Sequence, residues 1–259
     1  MNKTWHDTLK TILDSGSLVS PRGKQTMEIP QHTVAVRMRT PVLTCQARAL
    51  SYKFMAAEAY WILSGDSTVN GIAPWNKHIA QFSDDGDEFF GAYGPRIAQQ
   101  LGYVVRKLIS DRDTRQACLT IWRENPPATK DVPCTVALTA SIRGGELNVH
   151  VFMRSSDVWL GLPYDVFNFS MLGHFICSRL NAAGMEVSPG TLYLTAASSH
   201  LYEPQWKTAQ AIVDEPVSDQ EQMLTPQKLF QDEEYLMTTL RVLRETSPGD
   251  QLRWWEHAP

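Results

Sequence analysis

Two alternating segments, residues 135–142 and 147–153, constrain this chain most. They are separated only by Arg143-Gly144-Gly145-Glu146. Glycine reaches the positive φ that two-residue turns demand, so Gly-Gly between alternating runs predicts an antiparallel hairpin. A hairpin cannot stand alone and needs an apolar partner layer. Residues 47–63 supply one candidate, being long, apolar and free of Gly and Pro, and residues 168–183 form a second long apolar stretch. Both predict buried helices. Shorter amphipathic helices are expected at 4–13 and 99–109, and further strands at 27–39, 117–122 and 191–197. Residues 14–17 end the first helix, 21–26 form a polar turn-rich loop and 84–87 an acidic one. After Pro204 the pattern turns polar and helical. There is no internal repeat, linker or low-complexity tract, so one α+β domain over 1–259 is expected.

Composition narrows the partners. With 43% hydrophobic residues among 259, the chain can bury a substantial core. A net charge of −4 does not mark a binder of polymeric nucleic acid, though a few placed arginines still suit an anionic small molecule. The four cysteines, Cys45, Cys118, Cys134 and Cys177, show no CxxC pair and no metal-ligand spacing. A reduced, cytoplasmic protein without a metal site is expected. No apolar signal core opens the chain and no apolar run reaches membrane-spanning length.

The densest chemistry lies in Phe152-Met153-Arg154-Ser155-Ser156-Asp157-Val158-Trp159-Leu160-Gly161-Leu162-Pro163-Tyr164-Asp165. Arg154 beside Ser155 offers a bidentate donor next to a hydroxyl, a natural phosphate grip. Asp165 follows a Pro-punctuated turn and can present a carboxylate to a planar base, or cap the helix that follows. Cys134 lies in Val132-Pro133-Cys134-Thr135 at the mouth of a strand; most lone cysteines are small buried apolar groups, as Cys118 and Cys177 are expected to be. Glu58 sits in Met55-Ala56-Ala57-Glu58-Ala59-Tyr60-Trp61-Ile62-Leu63, where a carboxylate is costly unless paired or used. Arg22, in Pro21-Arg22-Gly23-Lys24-Gln25-Thr26, belongs to a basic Gly-bearing loop. His200 and Tyr202 are two apart, hence on one face of a strand.

In order along the chain, these segments resemble the thymidylate synthase family. The stretch ending at Asp165 is similar to that family's Arg-Ser-x-Asp followed by Leu-Gly-Leu-Pro-Phe-Asn. Glu-x-x-Trp-x-Leu-x-Gly-Asp, here Glu58 through Trp61, Leu63, Gly65 and Asp66, resembles a second motif. Pro-Cys at Cys134 matches the nucleophile's position, Tyr93-Gly94 a Tyr-Gly near the thiol, and His200-Leu201-Tyr202 the His-x-Tyr that binds the sugar hydroxyl. Asp113-Thr114-Arg115-Gln116 resembles Asp-Ser-Arg-Arg, with Gln116 in place of the second arginine. The resemblance fades before residue 20 and after about residue 205. Where the synthases end in a short apolar tail over the cofactor, this chain ends Glu256-His257-Ala258-Pro259.

The resemblance implies a thymidylate synthase-like α+β fold: a large mixed β-sheet packed with helices, one sheet face lying at a twofold dimer interface. It implies Cys134 as nucleophile activated by Arg154, Glu58 as proton relay, and Tyr93 and Asp165 beside them. Arg22, Arg154, Ser155, His200 and Tyr202 would hold a nucleotide monophosphate, with Arg115 reaching into the partner subunit's site. Asp157, Gly161 and Trp75 would face 5,10-methylenetetrahydrofolate. Asp165 stands where the synthases have Asn, as in the deoxycytidylate hydroxymethylases, which also share Met before the Arg. An ionised Asp165 accepts from cytosine N4 and would oppose O4 of uracil, two acceptors in a desolvated site. The expected reaction is therefore C5 hydroxymethylation of dCMP, in the host cytoplasm if the chain is phage-encoded. The alternatives are CMP hydroxymethylation, dCMP C5 methylation, thymidylate synthesis from dUMP, and a silent nucleotide binder.

Overall fold

The computed structural model describes residues 1–216 and 224–245. The hairpin forms as expected, β4 (Thr135–Arg143) turning into β5 (Glu146–Met153). Its turn places Gly144 at φ 58° and Gly145 at φ 80°, both in the region closed to most L-residues. The described strands make one seven-stranded sheet in the order β1 (Ser17–Val19), β2 (Thr26–Arg37), β7 (Ser188–Tyr202), β5, β4, β3 (Cys118–Thr120). The two-residue β6 (Ser156–Asp157) pairs with β7 off this path. β5 and β6 run parallel to β7 while the other pairs are antiparallel, so the sheet is mixed.

Helices cover one face. α4 (Leu162–Ala182) is buried nearly all round, as its uniformly apolar sequence requires. It packs on β5, β7 and α2 (Tyr52–Leu63). Gly173 permits the close approach, because a Cβ there would overlap the Met38 thioether. α6 (Glu233–Glu245) lies on α2, and α3 (Tyr93–Ser110) flanks both α2 and α4. α1 (Asn2–Ser15) and α5 (Glu203–Asp214) pack together at the β2 side.

Three helix starts shift from expectation by five or more residues. The helix expected from residue 47 starts at Tyr52, because Ala49 is left-handed and Ser51 caps it, accepting from the Phe54 N–H. The helix expected from residue 99 starts six residues earlier, with Pro95 tolerated in its first turn. The helix expected from residue 168 starts at Leu162, with Gly161 as N-cap and Pro163 in the first turn. Asp165 is therefore inside α4 and does not cap it. The divergent carboxyl end, residues 246–259, lies outside the described residues.

Candidate active site

Cys134, Glu58, Tyr93, Ser155, Asp157, Gly161 and Asp165 line one cleft of about 370 Å³. Its apolar wall is Trp61, Ile62, Ile79, Phe82 and Phe89. Five elements deliver the polar groups. Glu58 comes from α2, Tyr93 from the start of α3, Cys134 from the mouth of β4, Asp157 from β6 and Asp165 from the first turns of α4.

The thiol end is tightly fixed. Arg154 Nη2 lies 3.6 Å from Cys134 Sγ, while Nε donates to the Pro133 carbonyl at 3.0 Å and Nη2 to that of Val132 at 2.8 Å. The Tyr93 hydroxyl accepts from the Thr135 N–H at 3.2 Å, clamping the residue after Cys134. Arg154 was expected to lower the Cys134 pKa, and its charge does act that way. Burial nevertheless outweighs it and pushes the thiol up, with Asp165 and Asp131 adding to the rise and Arg22 opposing it. Activation of this thiol therefore needs more than the arginine alone.

The carboxyl end is strongly perturbed. Glu58 is pushed up to about 7 by burial, against a hydrogen bond from Asn168 Nδ2 to Glu58 Oε2 at 2.7 Å. Asp165 is pushed up to about 8 by burial first and by Glu58 and Asp157 second. Both side chains are half-buried and line the cleft. The charge argument made from the sequence needs correction here. Near neutral pH Asp165 is mostly a neutral acid, with a donor and an acceptor instead of two acceptors. Asp157 Oδ1 accepts from the N–H groups of Trp159 and Leu160, and burial raises this carboxyl too. Gly161 sits between Asp157 and Asp165, and a Cβ there would come within 3.3 Å of Asp165 Oδ2.

The remaining expected residues fall at two distances from the cleft. His200 is buried on β7 opposite Asp157 of β6, its Nδ1 3.5 Å from Ser155 Oγ, and its ring meets that of Tyr202 edge-on. Nearby on β7, Ser198 donates to Glu28 Oε2 at 2.6 Å, so β2 supplies a carboxylate there. Arg22 is exposed at φ 53° in a short turn, Pro21–Gly23. Arg115 is exposed beside a separate groove with Lys107, Asp113 and Gln116, away from its own chain's cleft. Trp75 does not line the cleft: its indole N–H donates to the Arg244 carbonyl at 2.8 Å and its ring lies under the Arg244 guanidinium.

The structure adds Asp131 and Asn168 to the polar groups expected from the sequence. Asp131 lines the cleft and accepts from the Gly91 N–H at 2.7 Å, anchoring the loop before Cys134. Asn168 lines it from α4, three residues beyond Asp165 and hence on the same helix face. That spacing was the available signal for Asn168; Asp131 had none. Among the described residues no three His, Cys, Asp or Glu side chains gather as a metal site, and no helix is long and apolar enough to cross a membrane.

Residues 3–240 match the thymidylate synthase family. The chain belongs to that family. It is also 33% identical over 221 residues to the deoxyuridylate hydroxymethyltransferase of Bacillus phage SP01. The match covers 76% of this chain and 55% of that relative, so the chain spans about half the relative's length. The relative is named for deoxyuridylate rather than deoxycytidylate. The mixed sheet packed with helices is the family fold expected from the motifs.

Proposed function

We propose that this chain is a folate-dependent one-carbon transferase that hydroxymethylates C5 of a cytosine nucleotide, dCMP first. The observation that carries the reading is a fixed thiol, Cys134, sharing one cleft with two carboxyls that burial raises, Glu58 to about 7 and Asp165 to about 8. A pyrimidine C5 is a poor nucleophile until a thiolate adds at C6. Charge then develops on the ring's N3–C4 edge. For cytosine it collects at N3, and a neutral Asp165 can donate there while accepting from the N4 amino group. Glu58 takes up and returns protons at the base and assists loss of the C5 hydrogen. Arg154, Ser155 and Arg22 face the phosphate, His200 and Tyr202 the sugar.

The apolar wall with Asp157 and Gly161 suits a pterin and its aryl extension. When bound, 5,10-methylenetetrahydrofolate supplies the one-carbon unit, and Asp157, its Oδ1 committed to the backbone, retains Oδ2 for a ring donor. Trp75 is left out of that set by its contact with Arg244.

A homodimer fits the uncovered sheet face. On that face Val136, Phe152 and Tyr193, from three strands, are 37%, 38% and 40% exposed, with His150, Thr33 and Thr195 among them and the Arg37–Glu146 ion pair at one end. A twofold contact there would carry Arg115 toward the partner's phosphate site.

The second reading is dUMP hydroxymethylation, favoured by the phage relative and by the same carboxyl, since a neutral Asp165 with its proton on the other oxygen pairs with uracil. Product mass spectrometry with methylenetetrahydrofolate and dCMP, CMP and dUMP in competition separates these. A gain of about 30 mass units on dCMP supports the proposal, and about 14 replaces water by hydride at the last step. Turnover of dUMP alone overturns the base assignment, and CMP in preference to dCMP the sugar assignment.

A further inference from the structure

Glu58 and Asn168 meet across the α2–α4 seam, the Asn168 Nδ2 donating to Glu58 Oε2 at 2.7 Å. Asn168 is only 5% exposed, and its Oδ1 is sealed from solvent with no partner among the described residues. An amide with one half used and the other buried unpaired is a poor structural clamp, because the unpaired oxygen is costly. It is a good partner for an acid that changes protonation state. Ionised Glu58 only accepts and calls for the NH₂; protonated Glu58 carries an O–H and calls for a carbonyl. A half-turn about the last side-chain torsion exchanges the two.

We propose that Asn168 is a positioning residue that holds Glu58 in one orientation through both of its protonation states, its amide turning over as the proton comes and goes. The inference rests on the reading of Glu58 as the proton relay. No further reactant is needed, since Glu58 returns the proton it takes up. The surroundings allow both states. Asp165 and Tyr164 on α4 share a field with Glu58, α3 presents Tyr93 across the cleft, and on α6 the Arg244 guanidinium is engaged with the rings of Tyr60 and Trp75. The hydrogen bond from Asn168 favours the ionised form against burial, leaving Glu58 near the working pH.

The test uses the full chain with Asn168→Leu, which keeps the shape and loses the amide, and Asn168→Ser, which keeps a group that both donates and accepts. The Glu58 titration is followed in nucleotide-free protein by carboxyl ¹³C resonances, assigned with Glu58→Gln. Release of tritium from C5 is followed with whichever nucleotide the enzyme turns over. Asn168→Leu is expected to raise the Glu58 midpoint by about one pH unit or more, move the acid limb of kcat with it, and lower kcat about 30-fold or more. The nucleotide KM should stay within about threefold, and Asn168→Ser should lie between the two proteins. A folded Asn168→Leu with an unmoved midpoint overturns the proposal, as does a rise in KM with kcat intact. Should Asn168→Leu not fold, Asn168→Ser is judged by the same two criteria. The titration needs no substrate, so a wrong base assignment leaves it standing, whereas an unmoved Glu58 with dCMP turnover intact condemns the Asn168 role alone.

Discussion

Asp165→Asn removes a transferable proton while keeping the shape of the side chain. Burial, Glu58 and Asp157 push the Asp165 carboxyl from 3.8 to about 8. At pH 7 the neutral form then exceeds the ionised form about tenfold. On the proposed reading that acid donates to N3 of dCMP as the thiolate adds, and an amide can hydrogen-bond there but cannot hand a proton over. Positioned general acids contribute on the order of 10²–10⁴ in rate. The variant should therefore lose at least about 100-fold in kcat/KM for dCMP, roughly 3 kcal/mol of transition-state stabilisation. For dUMP the change should stay within about tenfold, because an amide pairs with N3–H and O4 unaided. Competition between the two nucleotides, read by product mass, gives the ratio directly. Wild-type dCMP turnover should also fall about tenfold per pH unit above pH 8, a limb that the variant lacks. Stability supplies an independent check. A carboxyl raised in the fold contributes most below its unfolded pKa of 3.8, and that contribution is lost as pH rises to about 8. The gap of about 4 pH units corresponds to an upper limit of about 6 kcal/mol. Asp165→Asn should accordingly gain in Tm relative to wild type between pH 5 and pH 9. An unchanged dCMP:dUMP ratio, with the alkaline limb still present, would refute the assignment of Asp165 as the acid that reads the base.

Trp75→Phe should cost about 1–2 kcal/mol in urea unfolding, through the lost indole hydrogen bond to Arg244, while leaving the folate KM within about threefold; a tenfold rise in that KM would return Trp75 to the cofactor. Mixing Arg115→Ala with Cys134→Ala chains should restore activity to about a quarter of wild type if Arg115 serves the partner's site, since half the dimers then hold one intact site; no recovery after exchange removes that role. His174 is buried, donating from Nδ1 to the Ser170 carbonyl and accepting at Nε2 from Thr225, and burial pushes it down to about 4. Its lowered pKa gives stability above pH 6.5 that is lost as pH falls toward 4, about 3 kcal/mol in all. Acid unfolding should thus be flatter in His174→Gln, and an identical pH dependence would disprove the linkage.

Much of this architecture was legible because local chemistry and burial agree. The Gly144-Gly145 hairpin, the apolar α2 and α4 and the order of the motifs all point to one answer. The family likewise follows from short motifs that the structure brings into one cleft. What stayed hidden depends on partners distant in sequence. The sequence offers Trp75 as an aromatic face, and nothing local to it shows that its indole and ring engage Arg244 far along the chain. Asp165 reads as a charged acceptor until its enclosure with Glu58 makes it a neutral acid. Desolvation of the Cys134 thiol likewise cannot be read from Pro-Cys, because burial is set by the folded chain and not by the two residues. Element ends slipped where one residue decides them, as with left-handed Ala49 before α2.

Arg154 ties down the carbonyls of Val132 and Pro133 with the same guanidinium that faces the Cys134 thiol. Scaffold and reactivity are thereby inherited together, and selection cannot adjust one without testing the other. A drifting descendant that abandons chemistry would be expected to keep this arginine long after losing the cysteine, because the loop still needs its staple. In a lineage of such relatives, an Arg retained beside a vanished thiol would mark former enzymes, and a directed-evolution library aimed at new chemistry here should hold Arg154 constant and diversify the cleft's carboxyls instead.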